Sequence, residues 1–409
     1  MTDKRVEDER WLNGPVLGIG LASFFSDVGH EVPTSLLPRF LTTTLSSSPA
    51  ALGIIEGVSD GVAGVARLLG GPLADDPERR RQVAVGGYTT TAVLSSSIGL
   101  ATAPWQVGVL RAGAWAARGA RGPARNALLA EAVPARAYGR AYGFERAMDN
   151  LGAIVGPLLA IVFVHSVGVR GAIRLSIVPG LVAAVAMAYA ARAHARRGPA
   201  RPPGRPRLQI RPVLRGDLGR ILLAAGAFEL GNVAATLFIL RATKLLEPGR
   251  GLDRATSIAL VLYLLYNLAA TMMSVPVGRL VDTIGPRPLL VAGPLLFLGG
   301  YSLFGIGTAS VGLLAVAFVL AGAGTACAET AQTAAVALCA PEGIRGSAFG
   351  ILAALQSVGN LVASAVVGLL WAGSSVRLAF FYADGCMVVA VILLLVLVRR
   401  HLRPQAAAG

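Results

Sequence analysis

Polar and apolar positions along this chain sort on a scale of twenty to thirty residues. Long apolar runs, each bounded by charge or by Pro and Gly, are separated by short polar turns. A helix needs about 20 mainly apolar residues to cross a bilayer. The first half of the chain offers six such runs: Leu12 to Leu41, Pro49 to Ala74, Gln82 to Ala103, Trp105 to Ala130, Tyr138 to His165 and Arg170 to Ala191. The second half offers six more: Leu218 to Leu245, Ala255 to Val281, Pro288 to Thr308, Val311 to Leu338, Gly346 to Trp371 and Val376 to Val398. The expectation is an all-α membrane protein of twelve transmembrane helices.

The two sets of six are copies of one unit. A short charged turn, Gly71 to Arg81, recurs as Gly278 to Arg287, and adding 207 carries Gly71 to Gly278, Leu73 to Leu280 and Asp75 to Asp282. The same offset carries Pro134 to Pro341, Gly139 to Gly346, Gly143 to Gly350, Gly152 to Gly359 and Arg170 to Arg377. Two pseudo-symmetric six-helix bundles are expected, over residues 1–191 and 218–409, joined by a linker over 192–217. Many secondary transporters are built from such repeats, with the site between the halves.

Composition supports a membrane protein: 54% of the 409 residues are hydrophobic and 14% charged. The net charge of +15 does not signal nucleic acid, because the Arg lies in loops beside apolar spans. From Arg192 to Arg220 there are nine Arg against one acid, Asp217, together with the Pro/Gly-rich run Gly198 to Gly204. Such a linker is expected on the cytoplasmic side. With an even number of spans both termini share that side, and Arg399, Arg400 and Arg403 agree. The opposite loops, such as Thr42 to Ser48, are nearly uncharged. The acidic start (Asp3, Glu7, Asp8, Glu9) is unlike a cleavable signal. Cys327, Cys339 and Cys386 lie inside apolar runs without metal-ligand spacing, and His30, His165, His194 and His401 are scattered, so no metal site and no cofactor are expected.

A charge at the bilayer centre costs at least about 2.5 to 3.5 kcal/mol and calls for a partner, a neutral form or a wet cavity. In the first span Asp27 and Glu31 share a helical face with Ser23, and His30 is adjacent. In the second, Glu56, Asp60 and Arg67 share a face. The fourth carries Arg111, Arg118, Arg121 and Arg125 as a basic stripe, and the fifth Glu145, Arg146, Asp149 and Asn150. Pairing of Arg118, Arg121 and Arg125 with Glu145 and Asp149 as a packing and gating network is expected. Asp27, Glu31 and Asp60 lie nearer the midplane and are the candidates for proton coupling or substrate contact, with Arg111; the bland alternative is a buried carboxylate held by Arg111 or a helix hydroxyl. In the second half the midmembrane acids read as Glu229 and Glu329 only. The offset turns Asp60 into Asn267 and Asp149 into Gln356. Asn232, Asn267, Gln332, Gln356 and Asn360 lie beside Phe228, Phe238, Tyr263, Tyr266 and Tyr382, a mixed polar and aromatic inventory of which part is core and in which a single aromatic reads as packing; the candidates for a substrate cavity are Glu56, Glu229, Asn232, Tyr263, Asn267, Glu329, Gln332, Gln356 and Asn360.

The first charged turn resembles the loop signature of the major facilitator superfamily, Gly-x-x-x-Asp-Arg-x-Gly-Arg-Arg, through Gly71, Asp75, Arg79 and Arg80. Asp76 stands where Arg is usual and Glu78 where Gly is usual. The second copy keeps Gly278, Asp282, Gly285 and Arg287. Gly152-Ala153-Ile154-Val155-Gly156-Pro157 is similar to the antiporter signature of drug and proton exchangers, without the glycine pair that follows there; close packing of any membrane bundle also uses Gly-x-x-x-Gly. Arg111 lies where exchangers carry a central Arg, although the Gln and Gly usual after it are missing. Ser23 to Asp27, Arg121 to Leu128 and Leu230-Gly231-Asn232 resemble a bacterial subgroup of efflux permeases, in which Asn126 is commonly Asp. The resemblance implies the major facilitator fold and makes Asp75 and Asp282, with Arg79, Arg80 and Arg287, candidate gating latches. Asp75 is expected near the helix start around Gly346 and Asp282 near Gly139, since a helix N-terminus favours an anion.

The function these readings imply is proton-coupled export of a small amphiphilic compound by alternating access, in a multi-pass protein of a bacterial cytoplasmic membrane, acting as a monomer. Its partners are then the solute, protons and the bilayer. Uptake of a nutrient or metal chelate is the alternative within transport. A non-transporting receptor would need a larger soluble part. An enzyme would need a nucleophile, base and orienter that are not seen, and no phosphate-binding Gly-x-x-x-x-Gly-Lys run occurs, Lys being present only at Lys4 and Lys244.

Overall fold

The computed structural model describes residues 11–195 and 208–398. Linker residues such as Arg205, the tail Arg399 to Arg403 and the acidic N-terminus lie outside them. Among the described residues all regular structure is helical: α1 (Gly14–Arg39), α2 (Pro49–Asp75), α3 (Pro77–Ser97), α4 (Pro104–Ala132), α5 (Tyr138–Leu175), α6 (Ile177–Ala195), α7 (Gly216–Glu229), α8 (Ala235–Arg250), α9 (Leu252–Ile284), α10 (Pro286–Ile306), α11 (Val311–Cys339), α12 (Arg345–Gly373) and α13 (Val376–Leu397).

Local chemistry sets the ends. Pro stands at the first turn of α2, α3, α4 and α10, where its missing N–H has no helical partner to lose. Asn13, Ser48, Asp76 and Ser375 accept from the first-turn N–H groups of α1, α2, α3 and α13. Within α5, Gly168 (φ 70°, ψ 175°) leaves the helical region, so the element is two helices joined there. That break falls where the expected fifth and sixth spans meet. The expected seventh span, Leu218 to Leu245, is corrected: it is α7 and α8 with an unwound stretch at Leu230 to Ala234 between them. An apolar run cannot disclose such a break, because the groups that stabilise it lie on other helices.

Among the described residues, six stretches are long and apolar enough to cross a membrane by length and composition: Ala135–Arg192, Leu252–Ile284, Pro286–Ile306, Val311–Cys339, Glu342–Gly373 and Val376–Leu397. α1 to α4 are as long but carry more charge, and α7 and α8 are each shorter than a single crossing. Large apolar side chains face outward on these helices, among them Val185, Leu369, Ile392 and Val396. A bilayer is the solvent that suits such a surface.

The chain forms two compact units. One holds residues 1–137, 148–213 and 340–354; the other holds 138–147, 214–339 and 355–409. In the first, α2 packs on α4, α1 on α6, and α3 on both α4 and α6. In the second, α9 packs on α11, α7 on α13, and α10 on both α11 and α13. The offset of 207 converts each pairing of the first unit into its counterpart in the second. Close approach in the first unit is made by small residues: a Cβ on Gly70 would strike the Ala120 backbone, and one on Gly119 the Ala63 carbonyl. The core of the second unit is aromatic. Phe238 and Phe304 stack at 5.2 Å, Phe304 and Phe380 at 5.6 Å, and Phe228 meets Phe297 edge-on at 5.5 Å. Phe228 and Phe238 are thus packing residues.

Candidate transport site

In the first unit the acids of α1 and α2 are brought to the basic stripe of α4. Asp27 forms an ion pair with Arg118 at 2.7 Å. Arg111, fully buried, gives Nε and Nη2 to Glu56 Oε2 at 3.2 and 2.8 Å and lies 4.1 Å from the Trp115 ring centre. Trp115 Nε1 donates to Asp60 at 2.8 Å, and its ring stands 4.0 Å from that of His30. The partner of Arg111 is therefore Glu56, while Asp27 takes Arg118. Arg121 donates to Ser26 and lies 3.7 Å over the Tyr88 ring, and Arg125 reaches Ser23 at 3.1 Å and Asp149 at 3.5 Å. Of the expected pairings between α4 and α5, Arg125 with Asp149 is present; Arg118 turns to α1, because Asp27 is the nearer acid. Arg125 Nε also donates to the Asn126 side chain at 3.2 Å.

The side-chain carboxylate of Glu31, one turn from Asp27, has no hydrogen-bond or ion-pair partner among the described residues, while the Glu31 carbonyl accepts from the Ser35 hydroxyl at 2.7 Å, and α5 is pressed against both acids. A Cβ on Gly152 would strike Phe24 and Asp27, and one on Gly156 would strike Glu31 and Val28. The Gly-x-x-x-Gly-Pro stretch is thus the surface on which the acid-bearing turns of α1 rest.

In the second unit Glu229, at the end of α7, receives Asn232 Nδ2 at 2.9 Å and Gln332 Nε2 at 3.3 Å. Gln356 donates to Gln332 at 2.9 Å, and Asn360 to the Asn232 carbonyl at 2.9 Å. Glu329 pairs with Arg146 at 3.5 Å, and Arg146 lies 3.8 Å from Glu145. Tyr263 and Tyr266 stack at 5.8 Å beside them on α9, with Asn267 held by the Tyr263 carbonyl and Tyr266 sharing a hydrogen bond with Thr325. Tyr382 donates to the Leu230 carbonyl. The reading of Glu229 and Glu329 as the only midmembrane acids of this half is corrected by Asp384, inside α13, to which Ser302 donates at 3.4 Å. It stands in an apolar run, and the other charge of its helix, Arg377, is two turns away.

The charged turns sit at helix starts. Asp75 accepts the Ser347 N–H at 3.0 Å and the Ser347 hydroxyl, at the first turn of α12. Asp282 accepts Gly139 N–H at 2.7 Å and both Arg140 N–H at 3.1 Å and Arg140 Nε at 2.7 Å, at the first turn of α5. The arginines of the turns do other work. Arg80 binds Glu131 and the Ala74 carbonyl, Arg79 lies 3.5 Å from Asp76, and Arg287 donates to the Leu395 carbonyl at 2.8 Å near the end of α13. Sequence reasoning missed Ser347, Glu131 and Trp115. Ser347 could have been found by its place at the helix start that Asp75 was expected to meet.

Residues 19–259 and 246–409 match the family model of the Major Facilitator Superfamily. An uncharacterized MFS-type transporter of Methanocaldococcus jannaschii is 26% identical over 402 residues, covering 96% of this chain and 97% of that protein. A multidrug resistance protein of Citrobacter koseri, MdtG, is 29% identical over 168 residues, covering 39% of this chain and 40% of that protein. Among solved structures, a bacterial homologue of the iron transporter ferroportin in the outward-facing state aligns with TM-score 0.76 at 12% identity, over 93% of this chain and 98% of that one. The proton:xylose symporter XylE aligns with TM-score 0.73 at 16% identity, over 96% and 97%. Matched along nearly its whole length and built of two like helical units, the chain belongs to the Major Facilitator Superfamily and is a multi-pass membrane transporter.

Proposed function

We propose that this transporter couples the proton gradient to export of a small amphiphilic compound. The observation that carries the reading is the cluster in the first unit: Asp27 bound to Arg118 at 2.7 Å, the Glu31 carboxylate without a partner among the described residues one turn away, and both acids resting on the glycines of α5. A carrier must change charge during its cycle, and a carboxylate dehydrated in one state and wet in another does so. Two acids one turn apart resist double ionisation, so a proton arriving on one alters the claim of the other on Arg118. Export is favoured by the likeness of part of the chain to a multidrug resistance protein. The acidic first unit suits a solute with a cationic part.

The proposed architecture counts twelve crossings, adding α1 to α4 and the α7–α8 pair to the six most apolar stretches, in halves 1–191 and 218–409 joined by the linker 192–217. Arg80 and Arg205 are assigned to the cytoplasmic side of a bacterial membrane, and Ser47 to the outside. Labelling of Arg205→Cys in whole cells by an impermeant thiol reagent would overturn that orientation. Transport is tested in proteoliposomes with an imposed pH gradient, reading proton flux as lipophilic cations, neutral amphiphiles and acids are added in turn. Flux evoked by lipophilic cations and lost in Asp27→Asn supports the reading. Solute movement that ignores the pH gradient refutes it.

A further inference from the structure

Glu229 is 3% exposed, and its carboxylate is met only by neutral amides, Asn232 and Gln332. Among the described residues, the surrounding helices bring no cation within ion-pair distance of Glu229. α11 adds Glu329, of the same sign, which is paired with Arg146 of α5. α10 brings Tyr301, and α13 brings Tyr382 and Cys386, against the unwound stretch. α12 brings Gln356, Asn360 and Gly359, the last so close to Glu229 that no side chain would fit.

The repeat explains how this came about. The offset of 207 carries Arg118 to Thr325, Arg125 to Gln332 and Asp149 to Gln356. The Arg125–Asp149 ion pair of the first unit thus becomes a hydrogen bond between two amides at the same place in the second. The same contact is charged in one unit and neutral in the other, and Glu229 lies against the neutral one.

A metal cation would need oxygen ligands there. The unwound carbonyls nearest Glu229 are occupied: Leu230 O by Tyr382, Gly231 O by Tyr301 at 2.8 Å, and Asn232 O by Asn360 at 2.9 Å. The occupant that needs no further ligands is a proton.

We propose that Glu229 is a second proton-binding group, in the second unit, and that Gln332 and Gln356 relay its protonation to α12. Its use in the cycle rests on the proton-coupled reading above. The step is the addition of one proton to the carboxylate. With the proton on Oε1, the oxygen that accepts from Gln332, the acid O–H becomes a donor, Gln332 turns its amide to offer its own Oε1, and Gln356 loses its acceptor. Gln356 lies on the helix whose first turn holds Asp75 through Ser347, nine residues or about 14 Å earlier.

Infrared difference spectroscopy of the whole protein in liposomes, titrated from about pH 5 to about pH 9, reads the carboxylic acid C=O band directly. A band lost in Glu229→Gln, kept in Glu229→Asp, and kept in Asp27→Asn and Glu31→Gln supports the site. Gln332→Leu removes a donor to the anion and should move that band's midpoint upward by about one pH unit, a tenfold change in proton affinity. An unchanged band set in Glu229→Gln overturns the site, and an unmoved midpoint in Gln332→Leu overturns the relay. Because the band does not depend on transport, absence of proton flux in the liposome assay would bring down the coupling reading alone.

Discussion

Replacing Asp75 by Asn tests whether the charged turn holds α12. The carboxylate accepts two hydrogen bonds from Ser347, one backbone and one hydroxyl, at the positive end of a 29-residue helix. Hydrogen bonds to an ionised group contribute about 1.5 to 3 kcal/mol, against about 0.5 to 1.5 for neutral partners. The amide can still accept from the Ser347 N–H, and the hydroxyl can turn to accept from the amide. What is lost is the difference, about 1 kcal/mol per bond, and about 0.3 to 1 kcal/mol of charge at the helix start. The sum is about 2 to 3 kcal/mol. If the contact exists in one transport state and not in the other, that state loses about 30- to 150-fold in population.

Nitroxide labels on the exposed positions Glu78 and Thr283, one in each repeated turn, report the populations through pulsed electron spin distance distributions. Asp75→Asn should enlarge the longer-distance population while circular dichroism stays helical, and Asp282→Asn should do the same by removing the anion from Gly139 and Arg140. Distributions identical to those of the parent in both variants would refute the argument, because bonds worth this much cannot be lost from one state without moving the balance.

Three further outcomes are expected. Gly119→Ala forces a methyl onto the Ala63 carbonyl and should cost about 1 to 3 kcal/mol, whereas Gly122→Ala, three residues on with open space around it, should be neutral or stabilising by up to about 1 kcal/mol; thermal melts of the two variants separate them. Tyr301→Phe strips a partner from both the Gly231 carbonyl and the Val233 N–H, and should cost about 2 to 5 kcal/mol with faster hydrogen exchange confined to Leu230 to Ala234. Asp27→Asn should abolish pH-driven flux in liposomes while solute still binds, and Glu145→Gln should lower stability without removing the pH dependence; normal flux in Asp27→Asn with none in Glu229→Gln moves the coupling to the second unit.

Much of the fold was legible because the bilayer imposes a length on apolar runs and the repeat imposes an offset, and both can be counted. The contact of Asp75 with the first turn of α12 was legible for the same reason, since a charged turn and a helix start recur together. Pairings inside the membrane were less so. That Asp27 would take Arg118 and leave Glu56 for Arg111 depends on the axial stagger of three helices, and a slide of one turn exchanges the partners. Asp384 went unread because a single acid in an apolar run has no local pattern. That part of the aromatic inventory is core can be read from the sequence, but that Phe228 and Phe238 are the part that fills it depends on which face of each helix turns inward.

The unwound stretch between α7 and α8 shows what the repeat hides. The offset places Leu230 to Ala234 on Ser23 to Asp27, which in the first unit is unbroken helix within α1. A helix interrupted in a bundle frees backbone groups that must find partners, since lipid and apolar side chains supply none. In the second unit Tyr301, Asn360, Ser364 and Tyr382 supply them. Their counterparts in the first unit are Leu94, Ala153, Pro157 and Leu175, which have no side-chain donor or acceptor among them. The same backbone would therefore be left unsatisfied if α1 broke at that place, at about 1 to 3 kcal/mol for each group. The hydroxyls that α1 does carry there, on Ser23 and Ser26, serve the arginines of α4. One unit thus uses this turn to hold ion pairs on a continuous helix, and the other uses it to open a helix beside an uncompensated Glu229. The four polar residues on α10, α12 and α13 mark the break in the sequence, once the two halves are laid over one another.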